Sequence, residues 1–458
     1  MKRRLIYAMT GILIFSIVHS CKKDIDEKVP EIPAATLETN KWIYENMSQY
    51  YYWNDQIPAG IDHTRESDPE AYFYKLLYEN DRWSRITDDY QSLEAELSGD
   101  PSTMGYFPSF YLVGSKSIAI VVGYVYPGSA AAVAGLERGD IILSINNISL
   151  DTSNYYNLYS GKSYSVQLGA ISGTSLVNTG QTLSMTARTT ITDPAIFHKV
   201  LDAGGTKIGY LVYVEFISGN NNTFLTAIDN IFNEFKAAGI SELIVDLRYN
   251  PGGDITSAVH LASSIAPATV VANSEIMVNL KYNDELQEFL EFNKRTDYLY
   301  HKFLANSSNI DMKRVYFLTT STTASASELL ITGLDPYMDV VRIGEPTYGK
   351  YAGSWVIPDD DEKWAMMPIV LKYANAEGYT DFEDGIPPTH EVDDNLFTAL
   401  PFGDPADPLT AKAIQLITGT GKSVSENAKS GYPEIYKQVV PPQMNLKRNL
   451  YLPGLKKY

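Results

Sequence analysis

The sequence is almost free of cysteine, since Cys21 is the only one among 458 residues. A single thiol cannot form a disulfide within the chain, so packed hydrophobic cores must hold the fold together. Hydrophobic residues make up 44% of the chain and charged residues 20%, which is typical of a globular protein. At this length we expect about three domains.

Motifs of several enzyme classes are also missing. None of the six histidines stands in an H-E-x-x-H pattern, and no cysteine cluster exists that could bind a metal. The G-x-S-x-G turn of α/β-hydrolases and the G-x-G-x-x-G turn of dinucleotide-binding proteins are absent too. We therefore predict no metal and no cofactor. The formal net charge of −18 argues against nucleic acids and anionic membrane surfaces as partners.

Only one apolar run is long, and it lies at the N-terminus. Lys2-Arg3-Arg4 precedes a 14-residue apolar stretch, Leu5 to Val18, which is short for a membrane span. The following Val18-His19-Ser20-Cys21 resembles a bacterial lipobox. We predict a lipoprotein signal peptide over 1–21, lipidation of Cys21 and a tether over 22–36. The protein is then an exported bacterial lipoprotein, on the periplasmic side of the outer membrane or at the cell surface, and the lipid is its only membrane contact. A plain secretory signal with an incidental cysteine is the alternative.

The segment from Arg314 to Lys350 can build a site for a nucleophile. A strand-forming run ends in small hydroxyl residues, an apolar helix covers Leu329 to Leu334, and a second strand covers Val340 to Ile343. A strand, a tight turn and a helix start can present Ser325 at the end of a sheet. The returning strand brings Lys350 towards the same edge, and a buried lysine with a lowered pKa can act as the base for a serine.

Both residues also have ordinary explanations. Ser325 and Glu328 have the spacing of a capping box before an apolar helix. Most lysines are solvated surface charges, and Lys350 could be one of them. A serine at a helix start can cap the helix and still be the nucleophile, so the two interpretations of Ser325 are compatible.

Three motifs together resemble the carboxy-terminal processing (tail-specific) serine–lysine proteases. They are Ser325-Ala326-Ser327-Glu328, the run G-E-P-T-Y-G-K that ends at Lys350, and D-L-R-Y-N-P-G-G over residues 246–253. A stretch upstream is similar to a PDZ domain, and the order of all four matches the family. The resemblance implies a serine endopeptidase that cleaves protein substrates near C-termini or in unfolded segments. It assigns Ser325 as nucleophile, Lys350 as base, and the N–H groups of Gly252, Gly253 and Ala326 as oxyanion hole.

Two positions depart from the family pattern. Many members have a glutamine four residues after the lysine, where this chain has Ser354. Some have an aspartate 11 residues after the nucleophile, where this chain has Pro336, preceded by Asp335. We therefore predict that Ser354 or backbone carbonyls orient the lysine. The rival interpretation is a catalytically silent peptide-binding surface lipoprotein, which the intact serine and lysine disfavour.

The patterns along the chain predict a multi-domain α/β protein. Residues 37–100 form a helical N-terminal domain, in which the aromatic run at 50–53 fits a helical core better than a carbohydrate platform. A PDZ-like β-rich domain covers 101–192. An α/β protease core, of the crotonase-like and tail-specific type that the resemblance implies, covers 193–420, and a C-terminal extension of unknown role covers 421–458. Residues 273–310 read as a polar insertion near the cleft, with a helix from Asp284 to Tyr298.

A PDZ-like domain binds a peptide as an added strand and holds the terminal carboxylate on backbone N–H groups. Met104-Gly105-Tyr106-Phe107 stands where that carboxylate loop would lie, although it lacks the usual glycine-rich form. The alternative is a domain that only gates or braces the active site. The expected partners are protein or peptide substrates, and the oligomeric state stays open.

Overall fold

The computed structural model describes residues 32–173, 175–419, 436–439 and 450–453. The predicted signal peptide with Cys21, and most of the predicted tether, lie outside the described residues. Within them, no helix has the length and apolar character needed to cross a membrane.

The N-terminal region is largely helical and shares its core with the protease. Its elements are α1 (Ala34–Tyr50), α2 (Pro69–Lys75), β1 (Arg85–Thr87) and α3 (Tyr90–Ser98), with 3-10 turns at Asn54–Gln56 and His63–Arg65. Asp68 caps α2 by accepting the Glu70 and Ala71 N–H groups. From the aromatic run, Tyr51 is fully buried in the hydrophobic cluster of this region. The run therefore serves a core, as the sequence predicts.

The next region is a small β-rich domain. Its elements are β2 (Ser102–Thr103), β3 (Tyr106–Val113), β4 (Ser117–Val125), α4 (Ala130–Ala134), β5 (Ile141–Ile145), β6 (Ile148–Ser149), α5 (Tyr155–Tyr159), β7 (Ser163–Ser172), β8 (Ser175–Thr186) and β9 (Arg188–Thr189). Strands β3, β4, β5, β7 and β8 form one antiparallel sheet in that order. The sheet and the two short helices enclose a separate hydrophobic core.

The rest of the chain alternates strands and helices. Its elements are β10 (Phe197–Ala203), β11 (Thr206–Val212), α6 (Thr223–Ala238), β12 (Glu242–Asp246), α7 (Ile255–Ile265), α8 (Ala268–Ala272), β13 (Ile276–Tyr282), α9 (Asp284–Phe292), α10 (Thr296–Leu299), β14 (Tyr300–Lys302), β15 (Arg314–Thr319), α11 (Ala326–Leu334), β16 (Asp339–Gly344), β17 (Ala352–Pro358), β18 (Ala365–Met367), β19 (Ile369–Asn375), β20 (His390–Glu391), α12 (Pro408–Thr418), β21 (Tyr436–Val439) and β22 (Leu450–Pro453), with 3-10 turns at Asn220–Asn222 and Leu396–Thr398.

Two sheets frame the protease core. The first, which we call the serine sheet, has the order β10-β11-β12-β15-β16-β20, and its strands from β11 onward are parallel. The second, the lysine sheet, has the order β1-β18-β17-β19-β13-β14, with β22 paired to β17. One hydrophobic cluster contains residues of both sheets and of helices α7 and α11. Because parallel strands end on the same side, the loops after β12, β15 and β16 meet at one edge of the serine sheet.

The structure corrects three expectations. Helix α11 begins at Ala326, three residues before the predicted start, because the small residues after Ser325 are helical as well. The segment 273–310 is not a simple insertion, because β13 pairs with β19 inside the lysine sheet. The single helix predicted over 284–298 is two helices. Lys294 lies between them with a φ of 55°, a left-handed conformation that ends a helix.

Candidate active site

The loop after β12 is fixed by a buried arginine. The Arg248 side chain is 1% exposed and pairs with Asp246 at 2.7 Å, Asp394 at 2.9 Å and Asp407 at 3.0 Å. Three carboxylates around one guanidinium offset the cost of burying its charge. The loop therefore leaves the strand in a rigid conformation.

Asn250 connects this loop to the loop that carries Ser325. Its Nδ2 donates to the Tyr213 carbonyl at 2.8 Å. Its own carbonyl accepts the Ala324 N–H at 3.1 Å and the Ser327 hydroxyl at 3.2 Å. The two loops predicted to form the site from separate motifs are thus joined by hydrogen bonds directly beside the serine.

Ser325 has the features of a poised nucleophile. Its backbone lies at φ 61° and ψ −110°, a region that non-glycine residues rarely adopt and that costs about 1–3 kcal/mol. The side chain is fully buried, and its Oγ has no hydrogen-bond partner among the described residues. Strained backbone and an unpartnered buried hydroxyl are both expected at a reactive serine and not at a structural one.

Glu328 supplies the capping interaction that the sequence indicated, and it does more. Its carboxylate accepts the Ser325 N–H at 2.6 Å, which is the glutamate half of a capping box. It also accepts the Thr347 hydroxyl and the Gly349 N–H, both at 2.6 Å, and the Lys350 N–H at 2.8 Å. Burial raises the pKa of Glu328, while these hydrogen bonds oppose the rise. One carboxylate thus joins the serine loop to the lysine loop.

Lys350 is fully buried, so the surface-charge alternative is wrong. Burial lowers the pKa of its ammonium well below the ordinary lysine value, and the nearby Arg85 acts in the same direction. The carboxylates of Asp81 and Glu328 act the other way. A lowered pKa gives a lysine the neutral amine that a general base requires.

Trp83 lies against the lysine from the N-terminal region. The Lys350 Nζ is 5.9 Å from the centroid of the Trp83 ring, which also packs edge-on against Tyr351 at 6.1 Å. Asp81 fixes this segment by accepting the Trp83 N–H at 2.9 Å and the Ser84 N–H at 3.0 Å. The helical region therefore supplies part of the apolar surroundings of the lysine.

Two residues of the predicted oxyanion hole, Gly252 and Ala326, lie together beside Ser325. A Cβ placed on Gly252 would come within 2.7 Å of the Ser325 Cβ and 2.9 Å of the Ala326 nitrogen, so only glycine fits there. The Gly252 N–H, however, donates to the Asn250 Oδ1 at 2.9 Å. The Gly253 and Ala326 N–H groups show no hydrogen bond among the described residues. Those two are the better donors for an oxyanion, and Gly252 instead provides the close approach.

The two departures from the family pattern have different outcomes. Ser354 is fully buried on β17, and its Oγ has no hydrogen-bond partner among the described residues. Asp335 ends α11 and makes only a loose ion pair with Arg342, at 3.6 Å, with its own side chain 54% exposed. Asp335 therefore does not replace the missing aspartate in the site.

The predicted peptide-binding loop lies at the start of β3. Met104 and Tyr106 are buried in the core of the small domain, and the Gly105 N–H donates to the Thr103 hydroxyl at 3.1 Å. Phe107 stacks on Tyr124 and lies 5.4 Å, ring to ring, from Tyr249 of the arginine loop. The Gly105 carbonyl also accepts the Tyr126 N–H, so the backbone of this loop is hydrogen-bonded within the domain, while Phe107 contacts the protease.

Tyr373 and Trp83 are site residues that sequence reasoning missed. The single proton of the Tyr373 hydroxyl is shared between the Ser325 carbonyl at 3.0 Å and the Lys350 carbonyl at 2.9 Å. Tyr373 is one aromatic residue in an alternating strand, and nothing in the sequence distinguishes it from core residues. Glu328 did carry a signal, its spacing from Ser325, but that signal indicated only a cap. No group of three or more His, Cys, Asp or Glu side chains that could bind a metal occurs within the described ranges.

A strained, buried serine and a buried lysine on neighbouring loops are the features of a serine-type hydrolase. Family models agree with this. Residues 207–392 match peptidase family S41, residues 38–85 match the peptidase S41 N-terminal domain, and residues 121–163 match the PDZ domain. The chain therefore contains a peptidase family S41 domain and is a serine-type peptidase.

Known proteins of this family resemble the chain over most of its length. A carboxyl-terminal-processing protease of Picosynechococcus is 24% identical over 78% of this chain and 80% of its own. A Synechocystis protease of the same name is 22% identical over 75% of this chain and 74% of its own. The crystal structure of a Bacteroides fragilis protein assigned to the S41 proteases superposes with a TM-score of 0.69 and 28% identity, covering 82% of this chain and 97% of that one.

Proposed function

We propose that the protein cleaves polypeptides with Ser325 as nucleophile and Lys350 as general base. The observation that carries the proposal is the shared support of the two residues, because Glu328 and Tyr373 each bind both loops. A buried lysine held beside a strained serine has no structural purpose that an apolar residue would not serve better.

The reaction proceeds in two halves. The neutral Lys350 amine takes the proton of the Ser325 hydroxyl as Oγ attacks the peptide carbonyl, and the N–H groups of Gly253 and Ala326 bind the resulting oxyanion. Collapse breaks the C–N bond, and the lysine passes its proton to the leaving amine. A water molecule, deprotonated by the same lysine, then hydrolyses the acyl-enzyme and releases the carboxylate product with Ser325 restored.

The substrates are the C-terminal parts of proteins or unfolded segments. Relatives with similar domains are named for carboxyl-terminal processing, and a PDZ domain is a module for extended peptides. The Ser325 and Lys350 side chains are both fully buried, so a substrate must displace part of the surrounding structure to reach them.

The location we propose is that of an exported lipoprotein anchored through Cys21. The basic residues before a short apolar run, and the single cysteine directly after Ser20, support it. A lipid on Cys21, alone or with a second membrane-binding element, would hold the peptidase at a membrane surface without a spanning helix.

Replacement of Ser325 by alanine tests the catalytic proposal. Ser325→Ala should lower the hydrolysis of an unfolded protein substrate by at least about 1000-fold while leaving the unfolding transition in place. Ser321→Ala is the matched control, since Ser321 is exposed in the same loop. Full activity of Ser325→Ala together with loss of activity in Ser321→Ala would assign the nucleophile elsewhere.

A further inference from the structure

Strand β21, from the C-terminal extension, lies on the edge of the PDZ sheet. It pairs antiparallel with β3, with Tyr436 opposite Val113 and Val439 opposite Phe110. Strand β3 pairs with β4 on its other side, so without β21 it would be the open edge of that sheet. A peptide added to an open edge is the usual mode of strand addition.

The direction of β21 is that of a ligand. As the chain advances from 436 to 439, its partners on β3 run backwards from 113 to 110, towards the loop at 104–107. A peptide whose terminal carboxylate enters that loop would run the same way, antiparallel to β3. The extension therefore lies as a bound C-terminal peptide would lie.

A side-chain site accompanies the edge. Phe110 of β3 contacts the rings of Tyr155 and Tyr159 on α5 at 5.3 and 5.4 Å. Val439 packs against the hydrophobic cluster that contains Phe110, while its neighbour Gln438 is exposed. The alternation places the Val439 side chain against the domain core and that of its neighbour Gln438 in solvent, as specific strand addition requires.

We infer that the segment Tyr436–Val439 is an internal ligand that occupies the peptide-binding edge of the PDZ domain and competes there with the C-terminal segments of other polypeptides. Because it is tethered to the same chain, its effective concentration is on the order of millimolar. If the segment itself binds the edge with a Kd of about 10–100 μM, the tether would weaken the binding of a free peptide about 10- to 100-fold. The C-terminal segment of a substrate must then displace the extension from β3. This competition favours substrates whose C-terminal segments bind β3 more tightly than the extension does.

Peptide binding to the full chain tests this inference without reliance on the proposed catalysis. All proteins carry Ser325→Ala, so that the probe, a fluorescent hexapeptide with the sequence of residues 434–439 and a free carboxylate, stays intact. Val439→Glu places a charge in the hydrophobic cluster and should release the extension. Gln438→Glu makes the same change in charge at the exposed neighbour and is the matched control.

The probe should bind Val439→Glu at least about 10-fold more tightly than it binds the parent protein or Gln438→Glu. Equal affinity for all three proteins would mean that the extension does not occupy the ligand site. Absence of binding to Val439→Glu would mean that β21 is only a structural strand. If Val439→Glu does not fold, Val439→Ser replaces it, and amide exchange of residues 110–113 must be faster in that variant than in the parent. Unchanged exchange would also overturn the inference.

Discussion

Ser325 and Lys350 donate their backbone N–H groups to the same carboxylate oxygen of Glu328, at 2.6 and 2.8 Å. The Tyr373 hydroxyl lies between their two carbonyl groups, at 3.0 and 2.9 Å. Glu328 and Tyr373 thus join the loop after β15 to the loop before β17. They bind the backbone N–H and the backbone carbonyl of both Ser325 and Lys350. The relative position of nucleophile and base is fixed by the backbone and does not depend on a side-chain contact alone.

Glu328 should therefore be a positioning residue. In Glu328→Gln an amide N–H₂ group would face two of the four donors, and hydrogen bonds to a charged acceptor are worth about 1.5–3 kcal/mol. We expect the free energy of unfolding to fall by about 2–3 kcal/mol, and kcat to fall at least 100-fold with KM little changed. Urea unfolding and steady-state kinetics measure the two effects. Glu288→Gln, on the surface of α9, is the control, and a Glu328→Gln enzyme with normal kcat would contradict the role.

Trp83 should set the pH range of the enzyme. Trp83→Ala admits water beside Lys350, weakens the desolvation that lowers its pKa, and so moves the rising limb of the pH–rate profile to higher pH. At neutral pH we expect about a 10-fold loss of kcat/KM that is partly recovered at alkaline pH. Trp53→Ala is the matched control, because Trp53 belongs to the same aromatic cluster and packs on Tyr51 and Tyr78. Equal loss at every pH would indicate a purely structural role.

The buried lysine should also appear in the stability of the protein. Because its folded-state pKa is lowered, the unfolded chain binds more protons between that value and ~10.4, so the free energy of unfolding rises with pH across this window. Lys350→Met removes that dependence and should stabilise the protein at neutral pH. Lys372→Met, at a partly exposed lysine of β19, should leave the dependence unchanged. Denaturant titrations at about pH 7 and 9 compare the three proteins. A steeper pH dependence in Lys350→Met would contradict a neutral buried amine.

Sequence reasoning could reach those parts of the candidate site that are carried by local motifs. The serine turn, the lysine after a Gly turn and the glycine pair each carry a pattern, and strand–helix alternation brings them to one edge. Tyr373 and Trp83 could not be predicted, because their approach depends on how the lysine sheet and the N-terminal region pack against the serine loop. The pairing of β21 with β3 was also beyond the sequence, since it depends on which sheet edge stays open.

The lipid anchor is a prediction from the sequence alone. Cys21→Ser should abolish incorporation of labelled fatty acid and either release the protein from the membrane fraction or leave its signal uncleaved. Fractionation of expressing cells, followed by immunoblotting, measures both effects. Unchanged lipid labelling of Cys21→Ser would contradict the lipoprotein prediction and favour a plain secretory signal.

Glu345 needs a separate control in any study of pH dependence. Burial, together with the neighbouring Asp394 carboxylate, raises its pKa to about 7. Ionisation of this carboxyl, with its Oε2 3.5 Å from the Ser321 nitrogen, could be mistaken for that of the lysine. We expect Glu345→Gln to keep the rising limb of the pH–rate profile that belongs to Lys350. Loss of that limb in Glu345→Gln would assign it to the carboxyl instead.

The pH dependence of hydrolysis by the wild type and by Lys350→Arg tests the serine–lysine mechanism most directly. Hydrolysis of a tagged peptide is followed from about pH 6 to 10, where a lysine base must lose its proton before it can act. The wild-type rate should rise with pH through a single ionisation below the ordinary lysine value. Lys350→Arg should be as inactive as Lys350→Ala across the whole range, because a guanidinium stays protonated. Comparable rates for the wild type and Lys350→Arg would contradict the mechanism, and peptide binding without hydrolysis in the wild type would establish a silent homologue.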